Sequence, residues 1–427
     1  MKKRSIYRCY GVWPLVLFLL TAGCYRSDWG ADPLVAIQIY DRNGMNETIS
    51  NSDRLQVYEK ADFLSSQPYQ KVLRVYRKEG KSHSKITTYH PNGSIWQYLE
   101  VEEMRANGAY KEWHPNGHLK VEAAVIGGTA DVAEGSQRDW LFDGICRAWN
   151  EKGVIIAEVP YNKGSLEGTC TYYFDNAQIK KQLIYVQNEL EGVVMEYHLN
   201  GIPKALTHFQ KNLQKGPSVG YFESGETAWE ETWDDGLLVE GAYFNRHKQL
   251  LATVSKGRGF RVSFESNGAM QWLEFQHGLP EGHVKNFTSK GEIHSVYMVK
   301  NGRKQGEETL YFLNAEHLPR MRLHWDADAI HGTVQTWYEN GRLRSEREYN
   351  RNKKMGASLS WYKDGSVMCV EEYENDELIK GRYYKKGSRE LISAVQNGTG
   401  VAHLYDEEGV LLRKIQYQKG KPIDPES

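Results

Sequence analysis

The stretch Gly332-Thr-Val-Gln-Thr-Trp337-Tyr-Glu-Asn340-Gly341 is followed by Gly356-Ala-Ser-Leu-Ser-Trp361-Tyr-Lys-Asp364-Gly365, with the same frame 24 residues later. That frame is a Gly, four residues, an aromatic, three residues and a second Gly. It recurs at Gly108/Trp113/Gly117, Gly144/Trp149/Gly153, Gly216/Tyr221/Gly225, Gly259/Phe264/Gly268, Gly282/Phe287/Gly291 and Gly400/Tyr405/Gly409. The second Gly, or its equivalent, falls at positions 93, 117, 153, 177, 201, 225, 247, 268, 291, 315, 341, 365, 387 and 409. Most steps lie between 21 and 26 residues, which is the spacing of a structural repeat rather than of chance. The one long step, 117 to 153, contains Gly127-Gly128-Thr-Ala-Asp-Val-Ala-Glu-Gly135, a loop-like insertion assigned to residues 126–143.

Each unit reads as a hairpin. The aromatic segment suits a short strand. The following tip places Gly where a tight turn needs positive φ, so Gly93, Gly117, Gly153, Gly201, Gly225, Gly268, Gly291, Gly341, Gly365 and Gly409 are its structural residues. Beyond the tip, Leu343, Ser345, Arg347 and Tyr349 alternate with Arg344, Glu346 and Glu348, the pattern of a half-buried strand. A Gly or Asn such as Gly164 or Asn352 then returns the chain. Two tips carry Asn176-Ala177 and Asn314-Ala315, and there the Asn is expected to take the left-handed position. Tyr243 and Tyr383 follow Gly241 and Gly381 too soon for the frame, which predicts first strands that are shorter or bulged.

These motifs resemble MORN repeats of the bacterial variant type, over roughly residues 76–418. The resemblance implies an all-β fold, an elongated array of antiparallel β-hairpins in an open meander or solenoid sheet. Residues 24–75 fit the frame poorly and are expected to form a tether and an irregular cap, although Tyr40-Asp-Arg-Asn43-Gly44 echoes a tip. Residues 419–427 remain as a tail.

The N-terminus sets the compartment. Lys2, Lys3, Arg4 and Arg8 precede an apolar run from Val12 to Leu20 and then Thr21-Ala22-Gly23-Cys24, which is an export signal over residues 1–23. Ala-Gly-Cys resembles the bacterial lipobox, so Cys24 is the expected lipid-attachment site, despite Thr21 where the family usually has Leu, Val or Ile. Tyr25 rather than Asp after the Cys implies sorting to the outer membrane. The membrane, through this lipid, is the first expected partner.

The full chain has a formal net charge of −1, and loss of the four basic groups of residues 1–23 leaves −5. Nothing here is a footprint for nucleic acid. Cys146, Cys170 and Cys369 are too few and too scattered for a disulfide framework or a zinc site. Cys146 and Cys170 hold equivalent places in adjacent repeats; a meander would put another strand between them, at ~9–10 Å, and leave both thiols free.

No nucleophile, phosphate-loop or metalloprotease motif appears, so no enzyme, cofactor or metal is expected. His114 and His118 flank one tip and read as solvated turn residues, and the acidic pairs Asp234-Asp235 and Glu371-Glu372 read as solvated charge. The repeat aromatics, among them Trp113, Trp149, Trp337 and Trp361, are expected to stack as the core of a thin sheet. Tyr338 and Tyr362 immediately follow two of them, and alternation would turn them to the opposite, exposed face as contact residues. The resulting expectation is an envelope scaffold for an unidentified protein partner. The alternatives are a wall-glycan or polysaccharide module using exposed repeat aromatics and, by family analogy, an antitoxin or immunity-type protein.

Overall fold

The computed structural model describes residues 32–78, 81–265, 267–313 and 317–423. The expected export signal and the expected lipid-attachment site, Cys24, lie outside them. The chain divides into two compact units, the first up to Cys146 with Glu151–Gly153, the second Arg147–Asn150 with Val154 onward. Both are all-β, and their strands pair antiparallel as an open meander that does not close into a barrel.

One repeat of the second unit shows how the sequence makes the fold. The strands Gly332–Trp337 and Leu343–Asn350 pair Gly332 with Tyr349, Val334 with Arg347 and Thr336 with Ser345, and the register then slips at Trp337. At the tip, the Tyr338 N–H donates to the Arg342 carbonyl and the Gly341 N–H to the Tyr338 carbonyl, each at 2.9 Å. Gly341 sits at φ +81°, so the tip is a type I turn closed by a glycine bulge. The Asn340 side-chain oxygen accepts the Arg342 N–H at 3.0 Å, which explains why Asn precedes Gly so often. The return turn is of the other kind. Arg351 and Asn352 have φ +47° and +70°, the pair of left-handed residues that defines a type I′ turn. Each hairpin therefore alternates a bulged turn at one sheet edge with a type I′ turn at the other.

One expectation about the frame is corrected, and another holds in one of its two forms. At the Asn176-Ala177 tip the left-handed residue is Ala177, at φ +64°, not Asn176. Asn176 instead accepts the Gln178 N–H at 3.1 Å, as Asn340 does at its own tip. Moving Asn into the left-handed place would break that bond and shift the register, and the methyl group is the smaller cost, on the order of 1–2 kcal/mol. The tip at Ala315 lies outside the described residues. The strands Leu237–Phe244 and Glu377–Tyr384 are not shortened, being eight residues each like the strands before them. They are bulged, with slips at Tyr243/Phe244 and Tyr383/Tyr384.

The first unit begins with an ordered cap. Leu34–Tyr40 pairs with both Asn46–Ile49 and Lys71–Lys78, and a helix spans Ser52–Glu59 with Asn51 capping its N-terminus. Ile37, Ile49, Leu55, Phe63 and Val72 form its core. This cap departs from the hairpin frame, because its few apolar residues are spread over a strand, a helix and a loop, without one long periodic run. The insertion is ordered as well. Val132 and Trp140 pack onto Leu99, Tyr110 and Val125, so it covers one sheet face. The Trp140 indole donates to the Thr129 carbonyl at 2.8 Å and lies edge-on to Tyr110 at 4.8 Å.

Candidate functional site

Three features of the repeats determine what the surface presents: the tip edge, the return edge and a carboxylate inside the sheet. At the tip edge, Tyr338 and Tyr362 are not exposed; they retain only 4% and 0% of their accessible surface. Trp337 and Trp361, expected in the core, are half-buried instead. Alternation fails at Tyr338 because it is already the first residue of the turn, where the backbone has left strand geometry. Its ring crosses to the next repeat, and its hydroxyl donates to the Trp361 carbonyl at 2.7 Å. Tyr362 repeats the contact with the Tyr384 carbonyl at 2.8 Å. Burial raises the hydroxyl pKa of Tyr338, and that of Tyr362 to about 12.

The same place in other repeats is filled by His. The ring Nε2 of His90 lies 2.9 Å from the Trp113 carbonyl, and that of His198 lies 2.9 Å from the Tyr221 carbonyl. Asn side chains run parallel to this line: the amides of Asn92, Asn200 and Asn340 donate to the carbonyls of Pro115, Glu223 and Lys363. Each tip is thus tied to its neighbour. His118 takes a structural role of the same kind, with Nδ1 2.8 Å from the Glu151 carbonyl. Among the described residues, no group of three or more metal-binding side chains comes together.

The return edge is stitched by a different device. The Asn352 side-chain oxygen accepts the Ile330 N–H at 2.7 Å, while the Asn352 N–H donates to the Ile330 carbonyl at 2.8 Å. The same reciprocal pair joins Asn188 to Leu166, Asn212 to Leu190, Asp328 to Lys304 and Asp376 to Lys354. Asn and Asp serve here because they tolerate left-handed backbone and carry an acceptor of the right reach. Between these bonds, apolar side chains are left outside. Leu213, Leu237 and Leu279, each the first residue after a return turn, remain 48%, 41% and 52% exposed.

Inside the second unit, the off-frame tyrosines have a purpose. Tyr243 lies across Gly241, so that a Cβ there would be 2.6 Å from the tyrosine hydroxyl. This places the hydroxyl 2.9 Å from Glu231, which also accepts from the Trp233 indole at 2.9 Å and from Arg261 at 2.7 Å. Glu231 is 3% exposed, and its charge is balanced by Arg261 and by hydrogen bonds. Glu371 repeats the arrangement 140 residues later: Tyr383 lies over Gly381 and donates at 2.8 Å, with the Tyr373 hydroxyl at 3.3 Å. The reading of Glu371 as solvated charge is therefore corrected, whereas Asp234 and Asp235 are exposed and pair with Lys215.

Around each of these carboxylates the sheet curls. Leu238 donates to the Gly278 carbonyl, Gly278 to Gly257 and Gly257 to Val239, which brings three return turns together. Leu378, Gly420, Gly398 and Ile379 make the same set of bonds. Leu238, Tyr243, Val254, Val262 and Phe275 fill one curl, and Leu378, Tyr383, Val395 and Ala402 the other. The sequence signal for both was the Gly-x-Tyr departure from the frame.

The family model for the MORN repeat variant matches residues 106–123 and 330–351, one region in each unit. In those two regions the chain matches the MORN repeat variant. No curated protein matches it. Among solved structures, a porin-like protein from Bacteroides uniformis is 7% identical, covering 65% of this chain and 94% of that one, with a TM-score of 0.12. The MORN match falls on the two hairpins Arg105–Trp113/Leu119–Val125 and Gly332–Trp337/Leu343–Asn350. The matching repeat family is typically a non-catalytic scaffold.

Proposed function

We propose that this MORN-repeat chain is a lipid-anchored scaffold of the bacterial cell envelope, held at the outer membrane through Cys24 and binding a protein partner along its return edge. The observation that carries the binding surface is the exposure of Leu213, Leu237 and Leu279 at equivalent places after their turns. Apolar side chains repeated at one edge offer anchors in a row, and interface energy concentrates in a few such anchors. Tyr338 and Tyr362, buried in the tip line, are not among them.

A photo-crosslinking amino acid at Leu213, Leu237 or Leu279, introduced in native cells, should join the chain to the same protein at more than one of these positions. The same probe at Glu339, on the tip edge, should not. Crosslinks at Glu339 alone, or none at any leucine, would reject this surface. Lipid attachment has its own test: the wild-type chain should take up a fatty-acid label and partition into detergent, and Cys24→Ser should do neither.

A further inference from the structure

We propose that the first unit holds a binding cleft for a neutral saccharide, separate from the repeat aromatics and from the leucine edge. The insertion covers only part of its sheet face. At the uncovered end lies an open cleft of about 590 Å³, within the range of small-ligand sites. Its floor is a cross-strand row, because Tyr40 pairs with Lys71, Lys71 with Thr88 and Thr88 with Gln97. Four strands in register make that row about 14 Å long, enough for a short oligosaccharide.

Both walls are held in place before any ligand arrives. On one side, Arg42 donates to the carbonyls of Pro68, His90 and Pro91 at 3.1, 2.6 and 2.7 Å, which fixes the turn beside Tyr40. On the other, Lys71 binds Asp131 of the insertion at 2.6 Å, and the Thr129 hydroxyl binds Asp139 at 2.8 Å. The one long step in the repeat spacing thus supplies one wall of the cleft. A rigid, partly enclosed site loses little freedom on binding.

The chemistry of the lining selects the ligand. Arg42 and Lys71 are balanced by Asp131 and Glu134, so the cleft has no net charge to attract an anion or a cation. On the floor the Thr88 hydroxyl donates to the Gln97 side-chain oxygen at 3.0 Å and both residues are buried, so the polar groups open to a ligand are the Lys71 ammonium and the carboxylates of Asp131 and Glu134. An ammonium that donates and carboxylates that accept match groups that do both, as sugar hydroxyls do. Tyr40 and Trp96 line the cleft as well; the Lys71 ammonium lies over the Tyr40 ring at 5.8 Å, and the Trp96 ring, 41% exposed, supplies the aromatic face for the C–H side of a pyranose.

The test uses the full chain on an array of immobilised maltotriose, cellotriose, chitotriose and galactotriose, with sialyllactose and a heparin hexasaccharide as anionic comparisons. The trisaccharide retained best is then titrated by calorimetry and used as a soluble competitor. One or more neutral saccharides should be retained and displaced by the free sugar. Ala133→Trp, which fills the cleft from its exposed rim, should weaken binding by about tenfold or more without changing the melting temperature. Tyr40→Ala should weaken it in the same direction. Retention of anionic glycans alone, no retention at all, or wild-type affinity in Ala133→Trp would overturn the assignment.

Discussion

The Tyr338 hydroxyl donates a 2.7 Å hydrogen bond to the carbonyl of Trp361, 23 residues ahead, and so fastens one repeat's tip to the next. Tyr338→Phe should cost about 1 kcal/mol, the net worth of one hydrogen bond. Tyr338→Ala should cost roughly 3–5 kcal/mol, because it also empties a buried site. Tyr362 should follow the same order. Chemical denaturation of the three Tyr338 proteins decides this, and an unchanged midpoint in Tyr338→Ala would remove the tip line.

The buried carboxylates should separate from the exposed ones. Glu231→Ala leaves Arg261, Trp233 and Tyr243 without their shared acceptor and should cost about 2 kcal/mol or more. Asp235→Ala breaks only a surface pair with Lys215 and should leave the melting curve unchanged. Equal melting of the two variants would contradict the role given to Glu231.

The tip glycines should resist substitution although their surroundings are open. A Cβ at Gly341 would meet nothing closer than Leu318 at 3.6 Å, so space is not the obstacle. The obstacle is φ +81°, and Gly341→Val should lower stability by at least about 1–2 kcal/mol. Gly365→Val, at φ +92°, should behave alike. Circular dichroism melts check both.

The hairpin frame was legible because it rests on local chemistry: Gly at a left-handed turn, Asn before it and alternation after it. Contacts across 22 to 24 residues were not. Tyr338 looked exposed because alternation was carried one residue too far, into a turn. Glu371 looked solvated because its partner Tyr383 lies 12 residues away in a unit that broke the frame. That break was visible as Gly381 and Tyr383, but only the register shows that the ring covers the glycine. The cleft beside Tyr40 was invisible for a similar reason, since its two walls come from segments that the frame excludes.

His83 gives the first unit a dependence on pH. Its side chain is 7% exposed and stacks on Tyr76 at 5.2 Å, and burial lowers its pKa although Asp32 opposes the shift. A histidine with a lowered folded pKa binds fewer protons when folded. Its neutral form therefore favours the folded state above the ordinary value of about 6.5, and that benefit is lost as pH falls below it. The first unit should melt earlier at pH 5.5 than at 7.5, and His83→Phe should remove part of the difference. An undiminished difference in the variant would assign the effect elsewhere.

The central claim is that two lines of turn-to-turn bonds couple neighbouring repeats in addition to the strand ladder between them. Hydrogen exchange followed by mass spectrometry, on the wild type and on Tyr338→Ala, tests it most directly. Protection should fall in residues 332–374, which hold the hairpins on either side of the lost bond, and recover toward residues 203–244 in the same unit. A uniform loss of protection across that unit, or no loss beyond the turn at Tyr338 itself, would contradict it.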